Sequence, residues 1–252
     1  MNNFISAPGF ILHRYSYSET SLLLKVLMPD LSITPLIAKG VKNSRRGKLA
    51  LAGLCEPFNY LNFSYSGRGD VKSLRGLELI SPMRRLVGEI LSSGFYLNEL
   101  MIYLLGPAVC SEKLFEAYLE AQKGLASLDK NYDFLDLSKI LRAFEYILLK
   151  ETGHGPNLSM DQAHQDVCPL EFYEVQAGDL PLKIKSNNLN IKNNNSYLGE
   201  DLLKIDQGIF DSAELISKAK NIFRDLINLN TEGRLFKSRE MLKDLRGLKN
   251  AG

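Results

Sequence analysis

The residues with the most chemistry to offer are cations. Lys39, Lys42, Arg45, Arg46 and Lys48 fall close together along the chain, with Gly40 and Gly47 among them. Ammonium and guanidinium groups on a glycine-containing loop can follow a phosphate backbone by charge, without reading a fixed base sequence. The same run also suits a solvated loop. Arg68, Lys72 and Arg75 form a second basic group, and Arg14 stands nearer the N-terminus. With Lys25 these make ten basic residues between Met1 and Ile80, against five acidic ones (Glu19, Asp30, Glu56, Asp70, Glu78). The first third therefore carries +5 in a chain whose total is +2, leaving −3 for the rest. A basic head on a mildly acidic body suggests a polyanion site in the N-terminal region. Lys237 and Arg239, in Lys237-Ser238-Arg239-Glu240, are a further candidate, equally readable as the solvated edge of a capped helix.

Aromatic residues interleave with these charges: Tyr15, Tyr17, Phe58, Tyr60, Phe63 and Tyr65, with no tryptophan in the chain. Exposed rings can stack on unpaired bases, at about 1–3 kcal/mol per base. In a strand, however, Phe58 and Tyr60 share one face while Phe63 and Tyr65 share the other, so at most one pair can meet solvent.

Catalytic arrangements fail on inspection. Gly40 to Lys48 lacks the spacing of a phosphate-binding loop, and Leu49 stands where a hydroxyl should hold magnesium. Gly67-Arg68-Gly69 belongs to a hairpin signal rather than to a dinucleotide fingerprint. There is no H-E-x-x-H, G-x-S-x-G or C-x-x-C. Asp161, Asp166 and Glu171 have a spacing that fixes no shared face, and surface solvation is their plainer reading. His154, His164 and Cys168 share one region, but their irregular spacing does not describe a four-ligand zinc site. No cofactor, metal or enzyme activity is expected.

Three cysteines (Cys55, Cys110, Cys168) far apart imply reduced thiols and no disulfide framework. The N-terminus has no secretory pattern, and the longest apolar segment, Phe95 to Val109, is broken by Asn98, Glu99, Gly106 and Pro107. The expectation is a cytoplasmic protein with no membrane span.

The elements that must position these groups change character along the chain. Gly9–Arg14, Thr20–Met28, Ser32–Lys39, Phe58–Tyr65 and Val71–Leu79 read as five short strands, with turns at Pro29-Asp30 and at Ser66 to Asp70. Five strands in about eighty residues suggest a five-stranded OB-fold barrel over 1–80. From Pro82 the period becomes helical. Helices are predicted over Arg84–Leu105, after an N-cap at Ser111, over Phe134–Lys150, from a capping box at Asp211 and Glu214, and from Lys237 to about Leu245. Residues 155–205, rich in proline and asparagine, read as a loop-rich insertion with short strands near Phe172–Val175 and Leu189–Lys192. The fold class is α+β: an N-terminal barrel followed by a helical domain over 81–252 that carries the insertion.

Several runs together resemble the RecO family of bacterial recombination mediators. They are Gly9 to Arg14, Tyr17 to Leu24, Ala38-Lys39-Gly40-Val41, Leu54 to Phe58 and the Gly67 to Asp70 hairpin. Leu148 to Leu158, including Gly153-His154-Gly155-Pro156, is similar to the end of that family's central helices, and Lys237 to Glu240 to its C-terminal motif. The resemblance implies a DNA repair and recombination mediator without catalytic turnover, which binds single- and double-stranded DNA and anneals complementary strands. Its implied partners are the acidic C-terminal tail of single-stranded-DNA-binding protein (SSB) and RecR, with which it loads RecA; whether RecF shares the pathway stays open. The family's basic barrel surface corresponds to Lys39, Lys42, Arg45, Arg46 and Lys48. Many members carry four zinc-binding cysteines after the Gly-Pro-x-Leu segment, where this chain has Cys168 alone. Two other readings remain: an OB-fold RNA-binding protein of ribosome assembly or translation, and a protein–protein adaptor whose basic loop serves solvation.

Overall fold

Short apolar runs build the first part of the molecule. In the computed structural model, which describes residues 4–29, 32–42, 51–81, 85–106, 108–129, 131–184 and 195–250, these form β1 (Ile5–Ser16), β2 (Leu22–Leu27), β3 (Thr34–Ala38), β4 (Tyr60–Ser66) and β5 (Lys72–Ser81). They close into a barrel in the order β1-β2-β3-β5-β4, with β4 pairing back onto β1. The β3–β5 pair is parallel and the others antiparallel. This is the five-stranded OB-fold barrel expected from the strand count. Leu22, Leu24, Val26, Leu36, Leu61, Phe63 and Tyr65 fill its interior with Ile11, Met28 and Cys55. Gly9 allows β1 to approach β2, since a Cβ there would sit 2.5 Å from the Leu27 carbonyl oxygen. Burial pushes the Cys55 thiol up to about 11, so it packs as a small apolar group.

The helices are α1 (Gly88–Leu100), α2 (Glu112–Ser127), α3 (Phe134–Glu151), α4 (Gly199–Asp206), α5 (Ala213–Asn230) and α6 (Lys237–Asn250). A π-helical turn, Met101–Leu105, continues α1. The chain divides into two compact units, Met1–Lys130 with Phe236–Gly252, and Asn131–Leu235. In the first, the barrel is joined by α1, α2 and α6. The second packs α3 and α5 with α4 and a small sheet in the order β7-β6-β8, formed by β6 (Phe172–Glu174), β7 (Leu182–Lys183) and β8 (Ser196–Leu198).

Helix boundaries follow local chemistry. Ser111 caps α2 through the Leu114 N–H, as its position suggests. Arg85 to Val87 are not helical: Val87 is extended, Leu86 is buried, and α1 starts at Gly88 rather than near Arg84. Ser212, not Asp211, caps α5 by accepting from the Leu215 N–H at 3.1 Å, while Asp211 lies 3.6 Å from Lys204 Nζ. Helix α6 runs on to Asn250, beyond the expected end near Leu245. The short helix α4 interrupts a region read as irregular. The expected strand at Leu189–Lys192 lies outside the described residues, as do Asp30 of the first turn and Arg84. Among the described residues no helix is long and apolar enough to cross a membrane.

Candidate nucleic-acid interface

The outer surface of the barrel is set by one irregularity in β1. Ile11 pairs with Val26 and His13 with Lys25, so Leu12 is an extra residue in the strand. Its carbonyl accepts from Asn98 Nδ2 at 2.9 Å, which satisfies a buried acceptor that the ladder has left over. Because side chains alternate with period two, this single insertion reverses the phase of everything after it. Ile11 points into the barrel, yet His13 and Tyr15 point outward opposite Lys25 and Leu23. Arg14 takes the other phase and its guanidinium lies 2.7 Å from Glu56.

The outward side chains form a connected group. The His13 and Tyr15 rings lie 4.3 Å apart at 62°, and Lys25 Nζ stands 5.9 Å from the Tyr15 centroid. Lys25 faces Pro35, and Leu23 faces Ile37, continuing the surface onto β3. Tyr15 is 42% exposed and Tyr17, in the turn after β1, 59%. Partial burial, then Lys25 and Lys237, hold His13 below its ordinary value, against a weaker opposite pull from Glu99. Lys237 of α6 thus belongs to the electrostatic surroundings of this face.

Loops bring the remaining cations to the barrel's outside. The β1–β2 turn is closed by Tyr17 N–H to Ser21 O at 3.1 Å. Lys42 pins it, donating from Nζ to Ser18 O at 2.7 Å and from its backbone N–H to Thr20 O at 3.1 Å. Lys39 is exposed just after β3, and Arg68 is exposed in the β4–β5 hairpin. Lys72 opens β5 opposite Leu36, and Arg75 donates from Nε to Ser66 Oγ at 2.9 Å across the same hairpin. Arg45, Arg46 and Lys48 lie outside the described residues. Among the described residues no carboxylate pairs with Lys25, Lys39, Lys42, Arg68, Lys72, Arg75 or Lys237.

The Lys237-Ser238-Arg239-Glu240 run is the first turn of α6, and a residue far away in sequence caps it. Glu99 of α1 accepts from the Lys237 N–H at 3.0 Å, the Ser238 N–H at 3.1 Å and the Ser238 hydroxyl. A carboxylate at a helix N-terminus satisfies its orphan donors and complements its dipole. Arg239 lies over the Phe236 and Tyr96 rings, with its guanidinium carbon 4.5 Å and 5.7 Å from their centroids. Lys237 is exposed, whereas Arg239 is partly covered.

The aromatics of β4, and Phe58, which lies in the turn before the strand (φ 73°) rather than in it, provide no open platform. Phe63 and Tyr65 are core, while Tyr60 stacks on Phe10 at 4.8 Å and Phe58 meets Phe95 at 5.0 Å. Sequence reasoning singled out neither Lys25 nor His13. The available signal was a lone cation inside an otherwise apolar strand, since Lys25 interrupts Leu22-Leu23-Leu24 and Val26-Leu27.

The other weighed residues have local roles. Asp161 is buried and accepts from the Ala163 and Gln165 N–H groups, Glu171 lies 3.4 Å from Lys183, and His164 sits in a turn closed onto Asp161 O. Cys168 is exposed, and no three His, Cys, Asp or Glu side chains converge among the described residues, so the residues present do not fit a four-cysteine zinc site.

A closed β1-β2-β3-β5-β4 barrel with cations on its outer face and loops defines an OB-fold protein. A family model described as "Recombination protein O N terminal" matches residues 1–83. A protein of Aromatoleum aromaticum named DNA repair protein RecO is 34% identical over 242 residues, covering 96% of each chain. Relatives with the same name in Polynucleobacter asymbioticus (32% identical, covering 95% of this chain and 96% of the relative) and Actinobacillus pleuropneumoniae (33% identical, 94% of each) are similar over nearly their whole lengths. The chain belongs to the RecO family.

Proposed function

We propose that this protein acts in DNA repair and recombination by binding DNA, annealing complementary strands and helping to load recombinase onto strands coated by SSB. The observation that carries this reading is the OB barrel whose cations Lys25, Lys39, Lys42, Arg68 and Lys72 have no carboxylate partner among the described residues, in a chain of the RecO family. Such charges displace counterions from a phosphate backbone, and neutralising two strands together lowers the repulsion that opposes their pairing. The action is binding rather than turnover, in the cytoplasm, on single and double strands. The protein partners are the acidic SSB tail and RecR.

A groove in the second unit is lined by Leu158, Val175, Tyr197, Ile222, Asp179 and Asp225. Its two carboxylates complement an acidic tail poorly, so tail docking is not assigned there.

The test is annealing of complementary strands coated with SSB, either intact or lacking its C-terminal tail, across a salt series. Acceleration that needs the tail and weakens steeply with salt is expected. Absence of annealing with either SSB would overturn the reading and favour an RNA ligand or an adaptor role.

A further inference from the structure

The open half of the barrel's outer face carries an aromatic feature that phosphate binding alone does not use. Tyr15 projects outward beside Leu23, with its ring 4.3 Å from that of His13 at 62° and Lys25 Nζ 5.9 Å from its centroid. Tyr17 is exposed one turn farther on. Leu23, Pro35 and Ile37 give this surface an apolar floor that is only partly covered. Lys25 supplies positive charge on this face and Lys237 stands within electrostatic reach of His13; neither side chain pairs with a carboxylate among the described residues. Exposed rings with cations beside them on an apolar floor match the two sides of a nucleotide: a flat base and a phosphate.

We infer that Tyr15, supported by His13 and flanked by Lys25, is a stacking site for an unpaired base. This rests on the nucleic-acid reading above and adds to it a preference for strand state. A base inside a duplex has both faces occupied by its neighbours, so only a single strand can offer one to the ring without unstacking. The basic loops, in contrast, meet phosphates that single and double strands both present. The barrel therefore holds two kinds of contact: a general one for charge, and a ring that selects open strands. Tyr15 is held in place by the Leu12 bulge, which turns this part of β1 outward.

The experiment is fluorescence anisotropy of the full chain with a labelled oligothymidylate and with a duplex of equal length. It compares the unaltered protein with Tyr15→Leu and Tyr15→Phe. Tyr15→Leu should weaken single-strand binding about ten-fold, within the range stacking on one ring supports, and leave duplex binding unchanged. Tyr15→Phe should restore the single-strand affinity, because the ring and not the hydroxyl makes the contact. Equal single-strand binding by the unaltered protein and Tyr15→Leu would overturn the inference. So would a parallel loss on both substrates. If the unaltered protein bound neither substrate, the nucleic-acid reading itself would fall, which is a separate result. Tyr15 is exposed, so the variants should fold, and unchanged thermal unfolding verifies that they do.

Discussion

Two halves of one barrel surface, both built from β1 and its neighbours, meet opposite fates. Near the start of the strand, Phe10 points outward and stacks on Tyr60, and its ring lies 5.1 Å from that of Tyr118 and 6.0 Å from that of Phe115. That half is dry, because α1 and α2 cover it. A few residues later Tyr15 also points outward and keeps 42% of its surface in solvent, while His13 beside it is half-buried. The residue types are similar in the two halves. What separates them is whether a helix lies above, and the boundary falls at the Leu12 bulge. An aromatic residue in a strand is therefore core or contact surface according to what is packed over it, not according to its own sequence neighbourhood.

The comparison can be broken most severely on its dry side. Phe10→Ala should cost about 3–5 kcal/mol of stability, as for other fully buried phenylalanines, measured by urea unfolding. A cost below about 1 kcal/mol would mean the helices do not seal this half.

The boundary itself comes next. Asn98→Ala removes the donor to the Leu12 carbonyl and should cost about 1–3 kcal/mol, the penalty for a buried group left unsatisfied. Since the bulge sets the phase of His13 and Tyr15, this variant should also lose single-strand affinity although Asn98 is buried and touches no ligand. Retained affinity with lowered stability would show that the ladder holds the bulge unaided.

Glu99→Ala tests the attachment of α6. Loss of a cap that satisfies two backbone N–H groups should cost about 1–2 kcal/mol. Hydrogen exchange should speed up first at Lys237 to Glu240, and uniform speeding across the barrel would contradict a local cap.

The smallest effect lies on the open half and depends on pH. His13 is surrounded by Lys25 of β2, Lys237 of α6 and Glu99 of α1, and it sits below the ordinary histidine value of 6.5. Its folded value is depressed, so its contribution to stability is intact above 6.5 and is lost as pH falls through the folded value. A bound phosphate would favour the imidazolium, so binding should take up part of a proton. Single-strand affinity should then rise by less than about ten-fold per pH unit on acidification, and His13→Gln should flatten that slope. An identical slope in the variant would remove His13 from the interface.

Much of the barrel is legible because its strands are short apolar runs and its turns carry Pro29 and the Ser66 to Asp70 run. The helix start at Ser111 is legible for the same reason: one hydroxyl and one N–H three residues on decide it. The bulge is not, since Gly9 to Arg14 shows no sign that Leu12 stands outside the pairing until β2 and Asn98 are in place. Nor is the cap of α6, because no local pattern links Ser238 to a glutamate 139 residues earlier. At α5 the sequence pattern points to Asp211 as the cap, and the geometry gives that role to its neighbour Ser212. The cationic candidates are visible from composition, but Lys25 stands out only when its neighbours are seen to face inward.

Helix α6 completes the unit that begins with the barrel, but the ribosome makes it after the whole of Asn131–Leu235. At about 5–20 residues per second that delay lasts several seconds or more. Throughout it, Tyr96 and Glu99 wait without Phe236 and Ser238, the residues that later meet them. Until then one flank of α1 lacks the surface that α6 gives it. That unit is thus fastened by a segment synthesised only after the other unit.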